Sequence, residues 1–187
     1  MPGKVLNLMN TEEFQYTRVE YKRSFLVAPT ARWQVGIAPY AKTHVDKYIC
    51  NTRLRLRVMT DKDTGRQLLK LNKKADCGSP YFRTISRILL TQDEYETLNM
   101  LDGACLGKTR YYHPYNDHVY SIDVYEGELE GLILCKTEAD CLENLLRISP
   151  PEYITQEVTE DSFFTGGNLC RTTQSTLQAK LGTLTPA

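Results

Sequence analysis

Between Thr52 and Val58 the chain reads Thr-Arg-Leu-Arg-Leu-Arg-Val. As a strand, this sets Arg53, Arg55 and Arg57 on one face and Leu54, Leu56 and Val58 on the other. Nothing within the segment balances the three guanidinium groups, so that face meets either bulk water or an anion. The device recurs along the chain. Gln67 to Lys74 puts Lys70 and Asn72 opposite Leu69 and Leu71, and Lys108-Thr-Arg110 repeats it. Glu20, Lys22 and Ser24 share one face ahead of Phe25-Leu26-Val27; Ser121, Asp123 and Tyr125 share another, as do Lys136, Glu138 and Asp140. One plain reading is an antiparallel sheet with one face on helices and the other in water. A solvated face mixes signs, however, and like charges on neighbouring strands repel. Here Arg53, Arg55, Arg57, Lys70, Lys108 and Arg110 fall almost unmixed at equivalent positions. A bound anion would remove that repulsion, and arginine forks and lysine ammonium groups suit phosphate oxygens. The acids Glu20, Asp123, Glu138 and Glu157 are the oxygen donors that a Mg²⁺ or Mn²⁺ ion beside such a phosphate would need.

The elements that must position these side chains are short and mostly alternating. Strand patterns run over Tyr16 to Val27, Val45 to Met59, Gln67 to Lys74, Phe82 to Leu90, Lys108 to His113, Val119 to Tyr125, Leu132 to Glu138 and Ile154 to Thr159. Turn signals separate them at Asp61-Lys-Asp-Thr-Gly65, Cys77-Gly-Ser-Pro80 and Pro114-Tyr-Asn-Asp117. Such close succession predicts a largely antiparallel sheet or barrel. Three helices are expected: one after the capping box Thr91-Gln-Asp-Glu94, one over Thr137 to Ile148 and stopped by Pro150-Pro151, and a short one over Thr173 to Leu181. About the first 15 residues and the last six read as loosely held. His113 and His118 are expected in a solvent-exposed turn, and Trp33, Tyr111, Tyr112 and Tyr115 as packing or rim residues.

The 187 residues suffice for one well-buried domain. With 23 basic and 23 acidic residues the formal net charge is zero, which disfavours duplex nucleic acid as a partner. Function must come from how the charge is distributed. No apolar run approaches membrane-spanning length. The N-terminal residues lack a signal peptide's apolar core, so the expectation is a cytoplasmic protein with its six cysteines reduced.

Six motifs, in order from about Tyr16 to Leu169, resemble those of the CYTH superfamily, the triphosphate tunnel metalloenzymes. They are Arg18-Val-Glu-Tyr-Lys-Arg-Ser-Phe-Leu-Val27, Asp46-Lys-Tyr-Ile-Cys-Asn-Thr-Arg-Leu-Arg-Leu-Arg57, Lys70-Leu-Asn-Lys73, Lys108-Thr-Arg-Tyr111, Ile122-Asp-Val-Tyr-Glu-Gly127 with Leu129-Glu-Gly-Leu132, and Glu157-Val-Thr-Glu-Asp161 through Leu169. The resemblance implies a mainly β, α+β fold: an eight-stranded antiparallel closed or nearly closed barrel with a few peripheral helices. Residues 1–15 would lead in, 16–170 would form the barrel, and 171–187 would be a C-terminal tail. It implies a divalent-metal-dependent phosphohydrolase acting on inorganic triphosphate or a nucleoside or organic triphosphate. Lys22, Arg53, Arg55, Arg57, Lys70, Lys108, Arg110 and Lys136 would contact the phosphates. Glu20, Asp123, Glu138 and Glu157 would hold Mg²⁺ or Mn²⁺, with Glu20 and Glu138 catalytic; a homodimer is compatible with this. The chain departs from the family pattern at Lys22, where the signature's second glutamate is expected, at Ser24, where its lysine is expected, and at Lys136, the first acid of a late Glu-x-Glu. A site with two fewer carboxylates binds Mg²⁺ more weakly. A catalytically impaired protein that binds a phosphorylated or nucleotide ligand is therefore the alternative, and a class IV adenylate cyclase a weaker one.

Overall fold

The alternation read from the sequence becomes strands throughout the computed structural model, which describes residues 16–184. In chain order they are β1 (Tyr16–Val27), β2 (Ala41–Ile49), β3 (Leu54–Asp61), β4 (Gln67–Asp76), β5 (Phe82–Leu89), β6 (Gly103–Tyr115), β7 (His118–Tyr125), β8 (Ile133–Ala139) and β9 (Ile154–Glu157). Helices α1 (Gln92–Asn99), α2 (Leu142–Arg147), α3 (Gly166–Leu169) and α4 (Gln174–Gly182) lie between and after them. The ladder runs β5-β4-β3-β2-β6-β7-β8-β1-β9, every pairing antiparallel, and a further β1–β5 pairing closes the ring. The result is an eight-stranded barrel with β9 as an extra strand beside β1. Closure leaves no free edge among the eight, so their backbone donors and acceptors are satisfied within the wall.

The segment Val45 to Met59, expected as one pattern, is divided between β2 and β3. Asn51 takes a positive φ of 57° in the connecting turn, a conformation that Asn tolerates. Asn116 and Asp117, at φ 46° and 62°, form the two-residue turn that joins Tyr115 to His118. The capping box at Thr91 and Glu94 is present. The second helix begins at Leu142 rather than near Thr137, because Thr137–Ala139 completes β8. The terminal helix starts at Gln174 with Thr173 as its cap. The expected lead-in, residues 1–15, lies outside the described residues, and all six cysteines are free.

Two apolar clusters fix the barrel. Outside it, Phe25, Val27, Tyr120, Ile122, Ile133 and Cys135 pack with Trp33 of the β1–β2 connection and with Leu145 and Ile148 of the α2 region. His113 belongs here and not in an exposed turn: it is buried, with Nδ1 2.7 Å from the Tyr153 hydroxyl. At one end of the interior, Leu26, Leu106, Tyr125 and Leu134 meet Val158, Phe164, Leu169 and Leu177. Each such buried side chain contributes roughly 1.5–3 kcal/mol. The C-terminal segment therefore covers that end, and a Lys180–Asp161 ion pair at 2.7 Å fastens α4 to it.

Candidate functional site

The inward positions of the strands border one cavity of about 1730 Å³. This exceeds the several hundred Å³ of an ordinary small-molecule pocket and leaves room for an extended polyanion with its water. β1 contributes Arg18, Glu20, Lys22 and Ser24; β2 contributes Lys42, Asp46 and Tyr48; β3 contributes Arg55 and Arg57; β4 contributes Lys74. Arg83 and Arg87 come from β5, Lys108 and Arg110 from β6, Ser121 and Tyr125 from β7, and Lys136 and Glu138 from β8. In all, twelve lysines and arginines and six aspartates and glutamates border a single cavity, in a chain of zero formal charge.

The basic residues are not unmixed, as their strands alone suggested. Each strong cluster is built on a buried carboxylate from the strand next door. Asp123, fully buried, accepts from Lys108 Nζ at 2.6 Å, Arg110 Nε at 2.7 Å and Nη2 at 3.0 Å, and Lys136 Nζ at 2.8 Å. Register explains this, since β7 lies between β6 and β8 with Asp123 opposite Arg110, and Lys136 opposite Ser121. Asp46, 1% exposed, does the same on β2. It accepts from Arg57 Nε and, at 2.6 Å, from Arg57 Nη2, with Arg55 Nη1 3.6 Å away. Burial favours the protonated form of both acids, but the surrounding cations outweigh it and hold both pKa values below the usual carboxylate range.

The other carboxylates are held more loosely. Glu20 lies 3.4 Å from Lys74 Nζ and opposite Arg83 in register, and Glu138 lies 3.5 Å from Arg18 Nη2. Burial opposes ionisation of Glu20, yet Lys74, Lys22, Arg55 and Arg18 draw its pKa down. Enclosure by the barrel and the charge of Glu20 push that of Glu138 up. Lys22 stands opposite Glu138 and two residues from Glu20, with no side-chain hydrogen bond or ion pair among the described residues. Burial and the neighbouring Lys74 and Lys136 lower its pKa well below the ordinary lysine value. Burial, chiefly, and the cations Arg57, Arg110 and Lys108 hold His44 neutral, so this fully buried imidazole adds no charge.

Of the residues expected in the site, Glu157, Lys70 and Asp123 do not border the cavity, and Arg53 reaches only its rim. Glu157, at the end of β9, does not border the cavity; it binds Arg23 at 2.6 and 3.0 Å, and Arg23 alternates with the inward Lys22 and Ser24. Arg53 lies in the turn before β3, exposed at the cavity's rim. Lys70, opposite Arg57, is 2% exposed and does not border the cavity. The four carboxylates expected to bind metal therefore do not converge: Asp123 is saturated by cations, Glu157 faces elsewhere, and Glu20 and Glu138 are flanked by Arg18, Lys22 and Lys74. Among the described residues no group of three or more His, Cys, Asp or Glu side chains is placed to hold a metal ion. The residues present do not fit a resident Mg²⁺ or Mn²⁺.

Sequence reasoning missed Asp46 and the cations Arg18, Lys42, Lys74, Arg83 and Arg87 as site residues. Lys74 continues the period-2 series from Lys70 through Asn72, a signal the sequence carries. Asp46 and Arg83 become site residues only through strand pairing, with Arg57 and Glu20 respectively.

No family model matches the chain, and no curated protein matches it in sequence. Solved structures do. The inorganic triphosphatase NE1496 is 22% identical with a TM-score of 0.53, over 81% of this chain and 93% of that one. The PH1819 protein of Pyrococcus horikoshii OT3 is 19% identical with a TM-score of 0.50, over 68% and 82%. A proposed adenylate cyclase of Bacillus halodurans is 12% identical with a TM-score of 0.50, over 70% and 85%. At these identities the likeness is one of fold: the chain shares the fold of these structures, here a closed eight-stranded antiparallel barrel.

Proposed function

We propose that this protein is a phosphohydrolase that takes the triphosphate of an inorganic or organic substrate into its barrel. The observation that carries the reading is the excess of cations around one cavity, twelve basic against six acidic side chains. Arginine forks and lysine ammonium groups from seven strands would neutralise the phosphate oxygens as charge redistributes in the transition state. Glu138 is the general base in this scheme. It faces the cavity, its one ion pair is long, and its raised pKa suits accepting a proton. It takes a proton from a water molecule as that oxygen bonds to the terminal phosphorus. The bridging P–O bond breaks, and diphosphate or the corresponding organic diphosphate departs. The likeness to an inorganic triphosphatase supports the reaction class. A cytoplasmic location belongs to the same proposal; no helix among the described residues is long and apolar enough to cross a membrane.

Phosphate release from tripolyphosphate and from nucleoside triphosphates, assayed with Mg²⁺, with Mn²⁺ and in EDTA, tests it. Turnover is expected, with Glu138→Gln lowering kcat by ~10²-fold or more. Tight binding without release in any of the three media overturns hydrolysis. It would establish the second reading, a module that holds a phosphorylated ligand without cutting it. That reading draws on a specific observation: the buried acids Asp46 and Asp123 are committed to cations, and Glu20 and Glu138 each have a cation beside them as well.

A further inference from the structure

We propose that this chain binds the triphosphate without a divalent cation, and that Lys22 and Lys136 supply the positive charge a metal would bring; this rests on the tunnel reading above. Lys136 Nζ is anchored by Asp123 at 2.8 Å and lies 3.4 Å from the Tyr125 hydroxyl, while the residue borders the cavity. Asp123 already takes four donor contacts from three cations. A carboxylate has about four lone-pair sites, so Asp123 has none left for a metal. On the adjacent strand, Lys22 stands opposite Glu138 and two residues from Glu20, two of the acids that would have to hold a metal. Arg18 and Lys74 already contact those two acids. A divalent ion placed there would displace or repel Lys22, Lys74 and Arg18 together. A triphosphate meets the opposite situation: Lys136, Lys74 and Arg18 are held on the wall by carboxylates, and the anion's charge favours the ammonium form of Lys22, which burial otherwise disfavours. Lys22 and Lys136 fall where the family resemblance calls for acids, so the two changes act in one direction. Each places a covalently held cation beside the acids of the barrel, Lys22 opposite Glu138 and Lys136 on Asp123.

Titration calorimetry of tripolyphosphate into the full chain, once in EDTA and once in excess Mg²⁺, tests the inference. Binding in EDTA is expected to be at least as tight as in Mg²⁺, because Mg²⁺ competes for the same phosphate oxygens. The double variant Lys22→Glu with Lys136→Glu is expected to lose affinity in EDTA by on the order of 100-fold and to recover part of it with Mg²⁺. The wild-type comparison decides the matter even where the double variant does not fold. Wild-type binding that requires Mg²⁺ overturns metal independence and leaves the tunnel reading standing. Absence of binding in both media overturns the tunnel reading itself.

Discussion

At the scale of single residues, the cavity is a set of charges whose protonation depends on its neighbours. Lys74 shows this most directly. Burial pushes its pKa down to about 8; Glu20 opposes the shift, and Arg55, Arg83 and Arg57 add to it. The folded-state value lies below the 10.5 of a free lysine, so between pH 8 and 10.5 the unfolded chain binds more protons than the folded one. Stability of the ligand-free barrel therefore gains from this residue as pH rises through that window. Anion binding runs the other way, because the charged amine that attracts phosphate is lost as pH passes 8. Tripolyphosphate affinity measured from pH 7 to 9.5 is expected to fall, and Lys74→Arg, which stays charged, to flatten the decline. An equal decline in the variant would mean that Lys74 does not touch the anion.

At the scale of elements, register decides which charges meet. The same alternation gives Lys22 and Arg23 opposite destinies on β1, one toward the cavity and the other toward Glu157 on β9. Glu157 therefore has a structural part outside the site. Glu157→Gln is expected to leave tripolyphosphate affinity unchanged and to cost no more than about 1 kcal/mol of stability in urea unfolding, as befits a partly exposed pair. A large loss of affinity would return Glu157 to the site. Arg53 makes the same point at a turn. In a uniform strand it would lie beside Arg55, but the chain reverses at Asn51 and leaves Arg53 on the rim. The strands were legible in the sequence because a period of two leaves its mark on consecutive residues. The limits of β2 and β3 were not, because nothing in the alternation marks where a bend interrupts it.

At the scale of the whole molecule, the closed barrel concentrates like charge, and buried acids make that concentration tolerable. Without Asp123, the ammonium and guanidinium groups of Lys108, Arg110 and Lys136 would face one another with no carboxylate between them. Asp123→Asn is expected to destabilise the ligand-free protein by ~3–5 kcal/mol, because it leaves buried cations uncompensated. Tripolyphosphate at one hundred times its dissociation constant is expected to restore about 2.7 kcal/mol, since an anion bound only to the folded state stabilises it by mass action. Thermal or urea unfolding with and without the anion checks both figures. A destabilised variant whose unfolding midpoint does not respond to tripolyphosphate would show that the anion does not lie against this cluster.

The sequence by itself determined the strand pattern, the charged face on each strand, and the identity of most cations in the barrel, because these follow from residues two apart on one segment. It also carried the lysines at positions 22 and 136. Only the tertiary structure decided which acids the cations meet. Asp46 with Arg57, Asp123 with Lys136, and Glu20 with Lys74 are pairs brought together by folding, across adjacent strands or across the barrel interior. Local alternation fixes the face on which a charge lies; the pairing of separate strands fixes what it faces. That second fact turned a row of arginines that seemed unbalanced into a wall of cations held in place by buried carboxylates.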